Sequence, residues 1–275
     1  MSKDLIHYNN IIHKAFTVDS NIKDEFVFFL REKLDFKDND IFINKEKILT
    51  DVEENLIKDF IKKKLEGIPL DYILNSTKFY EEDFYTDERV LIPRPETELL
   101  VDFINNQNFP QRIKVLDAGT GSGCIGISIA LKNPKFDVYG LDYSMDSLYV
   151  ANINKDNLHV DNFFLIHSDW LTCFNDNSFD VIVSNPPYIS EDDLHLDNLI
   201  HEPNKALVSS NNGLADIKKI TQQSTRILQK GGMLLFEHGF NQSNEVNNIL
   251  EANGFLGITS LEDFQSHPRA TLGIL

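Results

Sequence analysis

Val115-Leu116-Asp117-Ala118-Gly119-Thr120-Gly121-Ser122-Gly123 runs from an apolar strand, through glycines spaced as GxGxG, into an apolar helix predicted over 124–131. Glycines at such a turn permit positive φ and let a ligand approach the backbone closely. The spacing differs from the GxGxxG of dinucleotide binders. Taken alone, the turn reads equally as a tight connection or as a ligand loop, and its surroundings must decide. From Ile113 onward apolar strands alternate with helices, with strands predicted over 114–117, 137–142, 163–167, 180–184 and 233–237. That βαβαβ rhythm implies a parallel sheet with helices on both faces, an α/β fold. Two final segments, 255–261 and 271–275, have no helix between them and predict an antiparallel finishing hairpin.

Upstream, the texture changes near residue 75. Between Leu5 and Leu65 apolar residues recur at helical spacing: Ile12 and Phe16, then Phe26, Phe29 and Leu30, then Leu56, Phe60 and Leu65. Polar residues fill the other faces, so this part reads as a small all-helical domain, closed by Gly67-Ile68-Pro69. Residues 77–92 read as a short β-hairpin or extended connector, rich in aromatics at Phe79, Tyr80, Phe84 and Tyr85. After Pro93 and Pro95 a helix is predicted to start with Glu96-Thr97-Glu98, acids well placed for a helix N-terminus. The predicted organisation is a helical domain over 1–75, a hairpin linker over 76–95 and an α/β domain over 96–275.

Composition narrows the function classes. The 275 residues are 41% hydrophobic and 25% charged, enough for about two domains with a sizeable core. Forty-three acidic residues against 26 basic ones give a net charge of −17, which repels a phosphate backbone and argues against direct nucleic-acid binding. Cys124 and Cys173 have no metal-ligand spacing, so no metal site is expected, and reduced thiols fit a cytoplasmic chain. The start, MSKDLIHYNN, has no apolar signal core, and no run is long enough to span a membrane. The chain is taken as a monomer.

Candidate ligand residues lie at the predicted strand ends. Asp142 ends the second strand, where an acid accepts ribose hydroxyls or, alternatively, caps the next helix. Asp169 and Trp170 follow the third strand, where an adenine ring would lie; Trp170 packs either on that base or in the core. The stretch Asp180-Val181-Ile182-Val183-Ser184-Asn185-Pro186-Pro187-Tyr188 is the most informative. An apolar strand stops at Asn-Pro-Pro-Tyr, on the edge that carries the glycine loop. Prolines lack N–H, fix φ and push the preceding residue into extended backbone, giving a stiff turn with free carbonyl acceptors. Asn185 adds a side-chain acceptor and Tyr188 a flat ring. Together they suit an NH₂ group on an sp² carbon, whose delocalised lone pair makes it a poor nucleophile. Two acceptors gripping its hydrogens orient it and stabilise the positive charge that develops on alkylation. The bland alternative is a proline-rich surface turn.

These motifs resemble those of class I S-adenosylmethionine methyltransferases acting on exocyclic or amide nitrogens. Asn-Pro-Pro-Tyr alone is shared with N6-adenine and protein-glutamine methyltransferases. Val90-Leu91-Ile92-Pro93-Arg94-Pro95-Glu96-Thr97-Glu98 is similar to a signature of the HemK/PrmC family, release-factor glutamine N5-methyltransferases. Gly67-Ile68-Pro69-Leu70-Asp71-Tyr72-Ile73, Phe79-Tyr80, His201-Glu202-Pro203, Asn212-Gly213-Leu214 and Glu237-His238-Gly239 agree with it, while Lys78 stands where the family usually carries an acid. The resemblance implies a mostly parallel seven-stranded sheet with an antiparallel last strand, and a separate helical N-terminal domain that recognises the substrate. It implies S-adenosylmethionine as cofactor, held by Gly119, Thr120, Gly121, Ser122, Gly123, Asp142, Asp169, Trp170 and Asn185. The implied acceptor is the glutamine of a release factor's Gly-Gly-Gln loop, met by Asn185, Pro186, Pro187 and Tyr188. Phe79, Arg94 and Glu96 either line that pocket or, for Arg94 and Glu96, form a linker ion pair. The rivals are a glutamine methyltransferase of a large-subunit ribosomal protein, disfavoured by the intact Pro93–Glu98 signature, and an N6-adenine nucleic-acid methyltransferase, disfavoured by the charge. A binding module that has lost activity is disfavoured by the intact turn.

Overall fold

The computed structural model describes residues 4–15, 21–44, 46–109 and 112–275. Its backbone divides into two compact units, Met1–Ser76 and Thr77–Leu275.

In the first unit, α1 (Leu5–Ala15), α2 (Ile22–Leu34), α3 (Asp51–Leu65) and the short α4 (Leu70–Leu74) share one apolar core. Helix α3 opens on a capping box, in which the Glu53 carboxylate accepts from Thr50 N at 2.7 Å and Thr50 Oγ1 accepts from Glu53 N. Acids in its first turn and Lys62, Lys63 and Lys64 in its last complement the helix dipole. Phe26, Phe29 and Phe60 are buried together, the Phe29 and Phe60 rings 4.5 Å apart. Two sequence expectations need correction here. The buried stripe of α3 is Ile57, Phe60 and Ile61, whereas Leu65 is 61% exposed in the last turn, just before the chain bends at Gly67 with φ +81°. The Gly67-Ile68-Pro69 break ends α3 but not the core, to which Ile73 and Leu74 of α4 return. Phe16 lies outside the described residues.

The second unit begins with an antiparallel hairpin of β1 (Thr77–Phe79) and β2 (Glu82–Phe84), followed by a 3-10 turn (Pro95–Thr97) that leads into α5 (Glu98–Asn105). The chain then alternates through β3 (Lys114–Ala118), α6 (Cys124–Lys132), β4 (Asp137–Asp142), α7 (Met145–Asn157), β5 (Phe163–His167) and β6 (Phe179–Ser184). Single turns α8 (Asn204–Leu207) and α9 (Ser210–Gly213) precede α10 (Ala215–Ile227), β7 (Leu228–Glu237), α11 (Ser243–Ala252), β8 (Leu256–Glu262) and β9 (Pro268–Ile274). The seven-stranded sheet has the order β5-β4-β3-β6-β7-β9-β8 and is parallel except for β9, which pairs antiparallel with both neighbours.

Strand alternation sends side chains to two cores. Val115, Val138, Val181 and Val183 pack with α5, α6 and the Phe79/Phe84 hairpin. Leu116, Leu141, Ile182 and Leu234 pack with α10 and α11. Central strand β6 is therefore apolar on both faces, as expected of a covered parallel strand. Strand β7 is longer than the predicted 233–237, because it carries an irregularity at Lys230-Gly231-Gly232, where pairing shifts between Phe179↔Leu228 and Val181↔Met233. Chain order runs outward from β3 toward β5 on one side and through β6 toward β7 on the other. Such a reversal opens a crevice at the carboxyl ends of the strands.

Candidate active site

The glycine loop is tied to its neighbours by backbone and by one buried acid. Gly119 N and Thr120 N both donate to Leu141 O at 2.8 Å, joining the end of β3 to β4. Asp117 Oδ2 accepts from Thr120 Oγ1 at 2.6 Å and from Gly126 N at 3.0 Å, folding the loop onto the start of α6. Burial pushes the Asp117 carboxyl up to about 7, against those two hydrogen bonds. Gly119, at φ +79°, lies against the Trp170 ring, where a Cβ would meet Cζ3 at 3.3 Å.

At the end of β4, Asp142 Oδ2 accepts from Gly121 N at 2.9 Å and Oδ1 from Ser144 N at 2.8 Å. The capping of α7 belongs instead to Ser144, whose side chain accepts from Ser147 N. Each Asp142 oxygen keeps acceptor capacity. Burial raises its pKa, opposed by the N–H groups of Ser144, Gly121 and Tyr143. The Trp170 ring packs on the second core and also lines the crevice, while Nε1 donates to Asp216 Oδ1 at 3.0 Å. Asp169 pairs with Lys219 at 2.9 Å.

The Asn-Pro-Pro-Tyr turn leaves β6 beside this loop, and Ser184 Oγ anchors it by donating to Ala118 O at 2.6 Å. Asn185 Nδ2 donates to Thr97 Oγ1 at 3.1 Å, and the Tyr188 hydroxyl donates to Glu237 Oε1 at 3.1 Å. Burial raises the Tyr188 phenol pKa well above its usual range, and the Glu237 charge adds to this. Gln242 Nε2 donates to Tyr188 O at 3.0 Å and to Asn212 O at 3.1 Å, fixing the far end of the turn. There Gly213, at φ +81°, has no room for a side chain, since a Cβ would lie 2.0 Å from Tyr188 O. Gly213→Ala is expected to cost about 1–3 kcal/mol, the usual range for overpacking. A lowered urea midpoint at unchanged slope checks this; an unchanged midpoint would mean that the loop yields freely.

Two cavities meet at this turn. The larger, about 580 Å³, is lined by Gly119, Thr120, Gly121 and Ser122 from the loop, by Asp142, Asp169 and Trp170 from the neighbouring strand ends, and by Asn185 and Pro187. The smaller, about 310 Å³, is lined by Asn185, Pro186 and Tyr188. Asn185, Arg94, Leu91 and Ala206 border both. Gly123 does not line either cavity; it is the N-cap of α6. Arg94 pairs not with Glu96 but with Glu202, at 2.5 Å, and Glu202 Oε2 also accepts from Ile92 N at 3.0 Å. Glu96 is exposed, and Phe79 is 1% exposed in the first core, so neither lines the cavities. Thr97, Glu202, Asp216 and Glu237 were not read from sequence as site residues. The signals available were that Glu237 ends the strand predicted over 233–237, on the same edge, and that Thr97, Glu202 and Glu237 fall in segments similar to the family's motifs. Among the described residues no three His, Cys, Asp or Glu side chains converge as a metal site, and no helix is long and apolar enough to cross a membrane.

A volume of about 580 Å³ lies within the roughly 300–1,000 Å³ of small-molecule sites. The cavity pairs a carboxylate and an indole at its strand ends with close backbone approach at Gly119. The smaller cavity offers acceptors and a flat ring. The arrangement can hold a nucleoside-bearing molecule on one side and a planar polar group on the other.

Residues 111–261 match the family model of a methyltransferase domain. The release factor glutamine methyltransferase of Coxiella burnetii is 35% identical over 226 residues, covering 82% of this chain and 81% of its own. That of Clostridium acetobutylicum is 37% identical over 237 residues, covering 82% of each. A methyltransferase from Pyrococcus furiosus has the same fold, with a TM-score of 0.55 over 80% of this chain and 98% of that one, at 13% identity.

Proposed function

The chain belongs to the release factor glutamine methyltransferase family, and we propose from that premise that it methylates the side-chain amide nitrogen (N5) of the glutamine in the Gly-Gly-Gln loop of class I peptide-chain release factors, using S-adenosylmethionine. The observation that carries this reading is the position of Asn185 on the border of both cavities. A cofactor in the larger cavity and an amide in the smaller one come face to face there.

The residues present fit the cofactor. Asp142 has acceptor capacity for ribose hydroxyls, Trp170 offers its ring beside Gly119, and the bare backbone of Gly119 leaves room that a Cβ would take. Bound there, S-adenosylmethionine would supply a sulfonium-activated methyl group. The chain's own task is to hold the acceptor. Asn185 Oδ1 and the carbonyl of Pro186 accept from the two amide hydrogens, and the Tyr188 ring stacks on the amide plane. No general base is needed for attack, since the nitrogen becomes acidic only once it carries the methyl group. Positioning of this kind supplies on the order of 7–11 kcal/mol of a barrier. Asp142→Ala is expected to weaken cofactor binding by about 1.5–3 kcal/mol, the range for hydrogen bonds to a charged group. Calorimetric titration checks it, and an unchanged dissociation constant would take Asp142 out of the ribose role.

The acceptor class follows from family membership and from the charge of −17, which disfavours a nucleic-acid substrate. The helical unit is assigned to substrate recognition, and the reaction to the cytoplasm, where release factors act. Labelled methyl transfer offered in parallel to a release factor, to large-subunit ribosomal protein and to adenine-containing DNA tests the choice. The expected result is label in the release factor alone. Label in DNA or ribosomal protein at comparable rates would overturn the assignment.

A further inference from the structure

We infer that Asp216 is a positioning residue for cofactor binding: by holding the indole N–H of Trp170 it keeps that ring in place as a wall of the larger cavity, against an unfavourable backbone conformation. The inference rests on the placement of S-adenosylmethionine proposed above and deepens it.

Trp170 sits at φ +45°, in the left-handed region, which is costly for a side chain of that size and persists only where the surroundings hold it. One face of α10 does the holding. Asp216, Lys219 and Gln223 are spaced i, i+3 and i+7, so they share that face. Asp216 Oδ1 accepts from Trp170 Nε1 at 3.0 Å, Lys219 Nζ donates to Asp169 Oδ1 at 2.9 Å, and Gln223 Oε1 accepts from Leu171 N at 2.8 Å. Three consecutive residues of the turn after β5 are thus gripped, and of the three side chains on α10 only Asp216 grips the ring.

The Asp216 carboxylate is itself aimed. Ser209, 2% exposed, donates from Oγ to Asp216 Oδ2 at 2.6 Å, and the same Oγ accepts from Asp216 N at 3.1 Å. With one oxygen pinned, the other is turned to Trp170, and a hydrogen bond to a carboxylate is stronger than one to a neutral acceptor. An indole N–H can only donate, so this bond fixes the rotation of the ring as well as its position. The ring then stands beside Gly119, where a Cβ would meet Cζ3 at 3.3 Å, and lines the cavity with Asp142 and Asp169. Ser209 N also donates to Ile189 O at 3.0 Å, so the same carboxylate joins the cofactor wall to the end of the Asn-Pro-Pro-Tyr turn. Without it, the strained backbone at Trp170 is free to relax and the ring to leave the cavity wall.

Trp170 is the only tryptophan in the chain, so the indole fluorescence of the full-length protein reads this ring alone. Asp216→Ala is expected to shift the emission to the red and to increase its quenching by acrylamide. In calorimetric titration it should weaken S-adenosylmethionine binding about 10-fold, the low end for loss of a hydrogen bond to a charged group. Asp216→Asn, which keeps an oxygen for Nε1, should restore the emission and most of the affinity. With release factor as acceptor, the KM for cofactor should rise in Asp216→Ala while kcat at saturating cofactor holds. Trp170→Phe, which has no N–H to hold, should lose affinity to a similar degree, and adding Asp216→Ala to it should change the dissociation constant by less than about twofold. Wild-type emission and affinity in Asp216→Ala overturn the inference. So does wild-type affinity in Trp170→Phe, or an undiminished loss when Asp216→Ala is added to Trp170→Phe, readings that stand even where Asp216→Ala alone folds poorly. Neither fluorescence nor titration involves the acceptor. A wild-type enzyme that binds cofactor yet methylates no glutamine therefore overturns the proposed function and leaves this inference in place, whereas a wild-type protein that binds no S-adenosylmethionine overturns both.

Discussion

Asn185→Ala is expected to lower turnover by about 10²–10³-fold, the usual loss for one preorganised partner of a developing charge, with a much smaller change in cofactor affinity. The expectation follows from where Asn185 sits and what it lacks. Its Nδ2 is spent on Thr97, and it borders both cavities at the end of an apolar strand that fixes its backbone. Oδ1 gains its importance only as positive charge builds on the acceptor nitrogen, so its removal should act on kcat more than on KM. Single-turnover methylation separates the chemical step from product release. A wild-type rate in that experiment would contradict the amide-gripping mechanism, whatever the steady-state constants.

Deleting the helical unit, with the chain beginning at Thr77, is expected to lower kcat/KM for intact release factor by about 10²-fold, the scale of loss when an acceptor is poorly placed. A lone glutamine side chain carries too little information to identify one protein, so specificity needs contacts away from the reacting nitrogen. The helical unit exposes Phe28, Phe42, Ile43 and Ile48, apolar surface suited to a protein partner. Every residue lining the larger cavity is at position 89 or beyond, and both cores of the second unit lie within it, so the truncated chain should bind S-adenosylmethionine as the full chain does. A short Gly-Gly-Gln peptide should be a poor substrate for both. Equal efficiency on intact release factor, at equal cofactor affinity, would remove the docking role.

The sheet was readable because its signals are local. Strands β4 and β5 were predicted at their observed bounds, since apolar runs bounded by turn residues need no distant information. The glycine loop and the Asn-Pro-Pro-Tyr turn were readable for the same reason: each is one short segment whose residue types dictate its backbone. What escaped depends on pairs far apart in the chain. Arg94 finds Glu202 across 108 residues, and Asn185 finds Thr97 across 88, distances over which a single sequence gives no register. Thr97 read as part of a helix start, and only folding shows that its hydroxyl accepts from the Asn185 amide. Leu65 failed differently: the periodicity of α3 is sound, but the helix ends before that position has core to cover. The irregularity in β7 hides behind Gly231-Gly232, which reads as a strand boundary and proves to be a kink within one strand.

The central claim, that the acceptor is the amide nitrogen of one particular glutamine, is tested most directly by peptide mass spectrometry of a release factor incubated with this enzyme and S-adenosylmethionine. The account predicts a single added methyl group on the Gly-Gly-Gln peptide, located by fragmentation to the glutamine side chain and absent when Asn185→Ala replaces the wild-type enzyme for the same short time. An unmodified Gly-Gly-Gln peptide, from enzyme shown to bind the cofactor, or a methyl group on any other residue of that protein, would contradict it.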